Sequence, residues 1–142
     1  MSPIATVELV LVVALALLAG CIVFVWLRRR YISGGQPLML CAINTGDRRW
    51  RLGLARIAGD RLDWFSVVGP SLRPGHSWVR HDLDLGAPHR LGEAVPGLPA
   101  DAVCVSGRAG SHDYELGLSP AAYTSLRAWL ESSPPGFNVN VA

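Results

Sequence analysis

The run LVLVVALALLAGCIVFVWL, Leu9–Leu27, carries no charged residue and stops at three consecutive arginines, Arg28–Arg30. As an α-helix at about 1.5 Å per residue it is roughly 28 Å long, which matches the ~30 Å hydrocarbon core of a bilayer. The core helix of a small soluble domain needs no such uninterrupted apolar length. Residues 1–30 are therefore read as a membrane anchor, a transmembrane helix over about 9–27 with a basic stop at Arg28, Arg29 and Arg30.

Charge sets the expected orientation. The N-terminal flank MSPIATVE holds one acid, Glu8, and no Lys or Arg, whereas the C-terminal flank holds three arginines. Positive charge is retained on the cytoplasmic side. The expectation is a single-pass protein of the cell membrane, N-terminus out, with everything after the anchor in the cytoplasm. Trp26 and Tyr31 stand near that end, where amphipathic aromatics favour the interface. A rival reading takes Leu18-Ala19-Gly20-Cys21 as a lipobox, with a lipoprotein anchored at Cys21 and the domain outside. Against it, a secretory signal opens on a positively charged segment that this chain lacks.

Working outward, the 142 residues allow the anchor and one small domain. All thirteen basic residues are Arg. Setting aside Arg28–Arg30 and Glu8 leaves ten arginines against ten acids, so the domain is neutral and nucleic acid is not an expected partner. Residues 37–80 nonetheless carry a charge of +4 and residues 81–142 a charge of −4. If the basic half formed one face, it would be attracted to anionic headgroups, at about 1 kcal/mol per Arg near the surface. The three cysteines, Cys21, Cys41 and Cys104, form no C-x-x-C and no even framework, and Cys41 and Cys104 are expected as a reduced pair in apolar stretches.

Residues 31–36 read as a Gly-rich linker and residues 37–133 as the domain. Leu38–Ile43 is a first strand. Trp50–Ile57 alternates, with Trp50, Leu52 and Leu54 expected on the core face, and Gly59-Asp60 turns it into a strand carrying Leu62, Trp64 and Val68. Residues 77–85 resume the alternation as a single strand, with Val79, Leu83 and Leu85 inward. Residues 86–100 are rich in Gly and Pro and read as a long surface loop. Residues 102–106 and 112–118 form a second hairpin with Tyr114, Leu116 and Leu118 inward. Ser119-Pro120 opens a helix whose apolar face is Tyr123, Leu126, Trp129 and Leu130, ending near Ser132 or Ser133. Residues 134–142 are expected to be a flexible tail. About six antiparallel strands followed by one amphipathic helix predict a small α+β domain, a curled sheet or pleckstrin-homology-like (PH-like) barrel covered by its C-terminal helix.

The anchor with its basic stop, the segment RWRLGLAR (Arg49–Arg56), the closing Tyr114-Glu115-Leu116 and the helix segment LRAWLES (Leu126–Ser132) resemble a known group. It is the actinobacterial family of short single-pass membrane proteins of unknown function often encoded beside ATP synthase genes. The resemblance implies the same topology and supplies no catalytic residue. The stretch Arg73–Leu85 is less basic here than in that family, and a Pro-rich loop follows it.

Chemistry-bearing motifs are few. His76, His81, His89 and His112 lie singly, without the spacing of a zinc site, so no metal site and no cofactor is expected. There is no P-loop, G-x-G-x-x-G or G-x-S-x-G. Asp82-Leu83-Asp84 would place two carboxylates on one face of a strand, the basis of an alternative reading as a lipoprotein or anchored envelope enzyme. The cluster Arg48, Arg49, Trp50 and Arg51 is suited to an anionic headgroup or a partner's carboxylates. The expected function is thus a non-enzymatic interaction module, with the lipid bilayer and a membrane protein as partners. It would act as a scaffold, an assembly factor or a headgroup reader. A further alternative is a structural subunit packing through its transmembrane helix at Ala16 and Gly20.

Overall fold

The computed structural model describes residues 2–47 and 49–132; Arg48 and the expected tail at 134–142 lie outside the described residues. The chain divides into two compact units at Gly35/Gln36.

The first unit is one helix, α1, Pro3–Ser33. Ser2 caps it, its hydroxyl accepting from the Ala5 amide at 3.4 Å, and Pro3 takes the first turn, where a missing N–H costs nothing. Gly34, at φ 52°, closes it in the left-handed conformation that favours glycine. The helix outruns the expected 9–27 at both ends, and Tyr31, Ile32 and Ser33 of the expected linker are helical. Its length and composition suffice to cross a membrane.

The second unit is a seven-stranded antiparallel sheet: β1 Leu38–Asn44, β2 Arg51–Ala58, β3 Arg61–Ser66, β4 His76–Val79, β5 Leu83–Arg90, β6 Val103–Ala109 and β7 His112–Leu118, followed by helix α2, Pro120–Glu131. The strand order is β4-β3-β2-β1-β7-β6-β5. The sheet is strongly curled. In a flat sheet β4 and β7 would stand about 19 Å apart, four steps of ~4.8 Å, yet the rings of Trp78 on β4 and Tyr114 on β7 stack with centroids 5.0 Å apart. The inner face holds one core, including Cys41, Ile43, Ala55, Leu62, Trp64, Leu83, Leu85, Val105, Leu116 and Leu118. This is the small α+β architecture, a curled antiparallel sheet followed by one C-terminal helix, that the strand and helix pattern predicts.

Helix α2 covers the curled sheet. Ser119 accepts from the Ala122 amide at 3.1 Å as the N-cap, and Leu126 and Trp129 are buried, with Tyr123 and Leu130 packed beside the core. The Trp129 indole donates to the Gly59 carbonyl at the β2–β3 turn, at 2.9 Å. Arg80 lies over the same ring, 4.8 Å from its centroid, and donates to the carbonyls of Gly59 (3.1 Å) and Ser132 (2.9 Å). From the other end of the sheet, Leu85 offers its carbonyl to Arg127 at 3.4 Å.

Three expectations need correction. Residues 77–85 are two strands, because a 3-10 turn at Arg80–Asp82 breaks them; β4 pairs with β3, and β5 with β6. The turn also changes the alternation, so that Trp78 rather than Val79 packs on the core, while Leu83 and Leu85 face in as expected. Residues 86–100 are not all loop, since β5 runs to Arg90. The rest of that segment lies over the outer face of the sheet, with Val95 buried and Leu98 against Gly117. Finally, β2 is turned over relative to its expected facing: Ala55 and Ile57 reach the core, and Leu52 and Leu54 face outward. The cause is Trp64. Its indole crosses β2 above Gly53 to donate to the Cys41 carbonyl on β1, at 2.9 Å. Only the absence of a side chain at Gly53 leaves room for it.

Candidate functional site

Of the basic cluster, Arg49, Trp50 and Arg51 are among the described residues. Arg49 and Arg51 are exposed, and Arg51 pairs with Asp47 at 3.2 Å; Arg48 is outside the described residues. Trp50 does not start the core face of β2. It is half-buried on the outer side, where it and Leu98 meet Gly117 of β7. Two other arginines of the basic half are committed to the fold. Arg56 pairs with the buried Asp63 at 2.9 Å and lies over Phe65, and Arg80 is held against α2 as described. Exposed Arg61 and Arg73 complete the described basic residues of this half. In α1, Arg30 lies over Trp26, 5.5 Å from the ring centroid. With Arg28 and Arg29 it puts positive charge at the helix C-terminal end, where the backbone dipole favours it.

The Asp82/Asp84 pair is not a strand-face pair. Asp82 lies in the 3-10 turn, 3.6 Å from the His81 ring nitrogen, whereas Asp84 is on β5 opposite Arg108 of β6. Asp84 lines a surface depression of about 590 Å³ together with Ser106, Arg108, Asp113 and Glu115, and Asp82 does not. The turn that splits the expected strand thus places the two carboxylates on different elements.

The structure assembles a group that no local spacing announces. On the outer face of β5–β7 the donor atoms of His89, Cys104 and Glu115 all lie within 4.8 Å of one another. Sheet register explains this. His89 pairs with Cys104 across β5–β6, and Glu115 of β7 pairs with Ser106, two residues further along β6. Strand residues two apart share a face. The decisive feature is a bulge in β5 between Leu85 and Pro88. Leu85 faces the core, and strict alternation would send residue 89 inward as well. The extra residue shifts the alternation and turns His89 outward, beside Cys104.

The three side chains differ in setting. Cys104 is buried, Glu115 half-buried and His89 exposed. Burial first, and the Glu115 carboxylate second, push the Cys104 thiol up to about 11. Glu115 is oriented from β1: the buried Asn44 donates to its Oε2 at 3.3 Å, and the Gly46 amide donates to Asn44 Oδ1 at 3.0 Å. The group lies in an open depression of about 590 Å³ that Asn44 and Trp50 also line. Trp50 therefore does belong to a candidate site, in different company from that expected.

On the inner side, His76 stands between Trp64 and Trp78, each ring centroid 5.5 Å away, and the Trp78–Tyr114 stack continues the row. Burial lowers the His76 pKa, and the charge of Arg51 lowers it further. Tyr114 is raised above the ordinary phenol value, chiefly by burial. Cys41 is pushed up to about 12 by burial, as an unreactive core thiol should be.

Among curated proteins none matches the sequence. Among solved structures the domain is similar to the tandem PX-PH domains of Bem3 from Saccharomyces cerevisiae. The match has 13% identity and a TM-score of 0.43, over 66% of this chain and 39% of that one. The model of a protein family of unknown function, DUF2550, matches residues 10–136, from within the apolar helix to beyond the end of α2. By that match over most of its length, the chain belongs to the DUF2550 family.

Proposed function

We propose that this protein is a membrane-tethered, non-catalytic interaction module whose β domain faces the cytoplasm, serving as a scaffold or assembly factor for a membrane complex. The observation that carries the reading is the joining of α1, with its arginine stop, to a PH-like domain through only four residues, 34–37. Four extended residues span at most about 14 Å, so the domain works within reach of the bilayer surface. The arginines at the C-terminal end of the helix support the cytoplasmic side, and exposed Arg49 and Arg51 offer charge to a partner's acids or to anionic headgroups. Asp82 and Asp84 lie on different elements, so the shared strand face from which the anchored-enzyme reading is drawn lends it no support. The ATP synthase gene neighbourhood implied by the family resemblance makes a membrane complex a reasonable client.

The test is made on the full chain in its own membranes. A C-terminal green fluorescent protein fusion should fluoresce and a C-terminal alkaline phosphatase fusion should be inactive. A membrane partner should co-purify with the tagged protein in constant ratio and be depleted by Arg49→Ala/Arg51→Ala. An active phosphatase fusion would overturn the orientation, and recovery of the chain alone after cross-linking would overturn the module.

A further inference from the structure

We propose that His89, Cys104 and Glu115 form a binding site for a single divalent transition-metal cation of the Zn²⁺ class. Four observations meet at this place. The donor set combines a thiol, an imidazole and a carboxylate, the ligand types of zinc. The donors come from three neighbouring strands and lie within 4.8 Å of one another. Tetrahedral coordination at bond lengths of about 2.0–2.3 Å needs donors roughly 3.5 Å apart, so binding calls for side-chain adjustments of about an ångström, for which the exposed His89 and half-buried Glu115 have room. The carboxylate is already oriented by a buried amide that is itself fixed by a backbone N–H, the outer-shell arrangement that holds a metal ligand in place. Lastly, the β5 bulge serves to bring His89 to this face, and bulges characteristically re-aim a side chain beside a site.

On binding, the Cys104 Sγ–H bond is lost, its proton passes to solvent, and the sulfur electron pair forms the metal–sulfur bond; the cation charge outweighs the burial and the carboxylate that keep the free thiol protonated. His89 binds as the neutral imidazole through one nitrogen. Three protein ligands leave a fourth position to water, open toward the depression that Trp50 borders.

The experiment is titration of the tag-free full-length protein, in detergent and reducing buffer, with Co²⁺ as the optical probe and Zn²⁺ as competitor. One equivalent of Co²⁺ should produce thiolate-to-cobalt charge-transfer absorption with tetrahedral d–d bands, and Zn²⁺ should abolish both. Cys104→Ala should remove the charge-transfer band, whereas Cys21→Ala should leave it intact. His89→Ala, a change at an exposed position, and Asn44→Ala should each weaken binding by about 10-fold or more. Absence of thiolate absorption, its persistence in Cys104→Ala, or unchanged affinity in His89→Ala with the circular dichroism of the parent would each overturn the proposal. Because His89→Ala lies outside the core, the test stands even if Cys104→Ala fails to fold.

Discussion

Replacing Gly53 by Ala tests the packing that orients the whole of β2. A Cβ at this position would fall inside the Trp64 indole and 2.5 Å from the backbone oxygen of Phe65, so neither neighbour can yield by a simple rotation. The indole must leave its place over β2, and with it goes the 2.9 Å bond from Trp64 Nε1 to the Cys41 carbonyl. Overpacking a core position costs about 1–3 kcal/mol, and stranding the buried indole N–H adds about 1–3 kcal/mol. The sum, about 2–6 kcal/mol, is a large part of the 5–15 kcal/mol typical of a domain. At roughly 4–8 °C per kcal/mol for a domain of this size, the midpoint should fall by at least ~8 °C. Thermal unfolding of the full-length protein in detergent, followed by near-ultraviolet circular dichroism, reads the domain because Trp50, Trp64, Trp78 and Trp129 lie in it. Gly92→Ala, where an added Cβ meets nothing within 4 Å, is the control and should stay within about 0.5 kcal/mol of the parent. A Gly53→Ala midpoint within 2 °C of that control would show that the indole does not occupy the space over β2.

Two further perturbations address the helix and the aromatic row. Trp129→Ala should destabilise the domain by about 3–5 kcal/mol, whereas Trp129→Phe, which keeps most of the ring but loses the bond to the Gly59 carbonyl, should cost about 1 kcal/mol plus the trimmed area; equal losses in denaturant titrations would remove that bond from the account. His76 has a folded pKa below its unfolded value of about 6.5. Above pH 6.5 it is neutral in both states. As pH falls below that value the unfolded chain takes up the proton first, so stability drops through the window down to the folded pKa and then levels off. His76→Gln should flatten the stability profile in that window, and an unchanged slope would assign the effect to other groups.

The elements that were legible in the sequence are those whose pattern is local. The apolar run of α1, the Ser119-Pro120 cap with the spacing of Leu126 and Trp129, and the alternation of Tyr114, Leu116 and Leu118 each identify an element and its buried face without reference to the rest of the chain. What stayed hidden depends on partners distant in sequence. Leu52 and Leu54 look like core residues in isolation, and they are displaced outward because a tryptophan from the next strand needs the space above Gly53. The break at Arg80–Asp82 contains neither Gly nor Pro, so the sequence there shows no interruption, and Pro88 argues against the strand that in fact contains it. The metal-ligand group was illegible for a similar reason. Its donors are neighbours only through the register of β5, β6 and β7, and a single bulge decides the side to which His89 points. The one clue available was that His89 and Cys104 flank a connection between adjacent strands.

The 3-10 turn at Arg80–Asp82 makes the two outermost strands of the sheet, β4 and β5, consecutive in the chain. Their unpaired backbone groups are the places where a second molecule would add a strand, and neither offers a good template. One is four residues long; the other carries a bulge and a proline that has no N–H to donate. If α1 tethers the protein to a bilayer, as proposed, copies would meet far more often than in solution, and these poor sheet margins would disfavour strand-to-strand association between them. Any contact with another molecule would then rest on side chains rather than on backbone pairing.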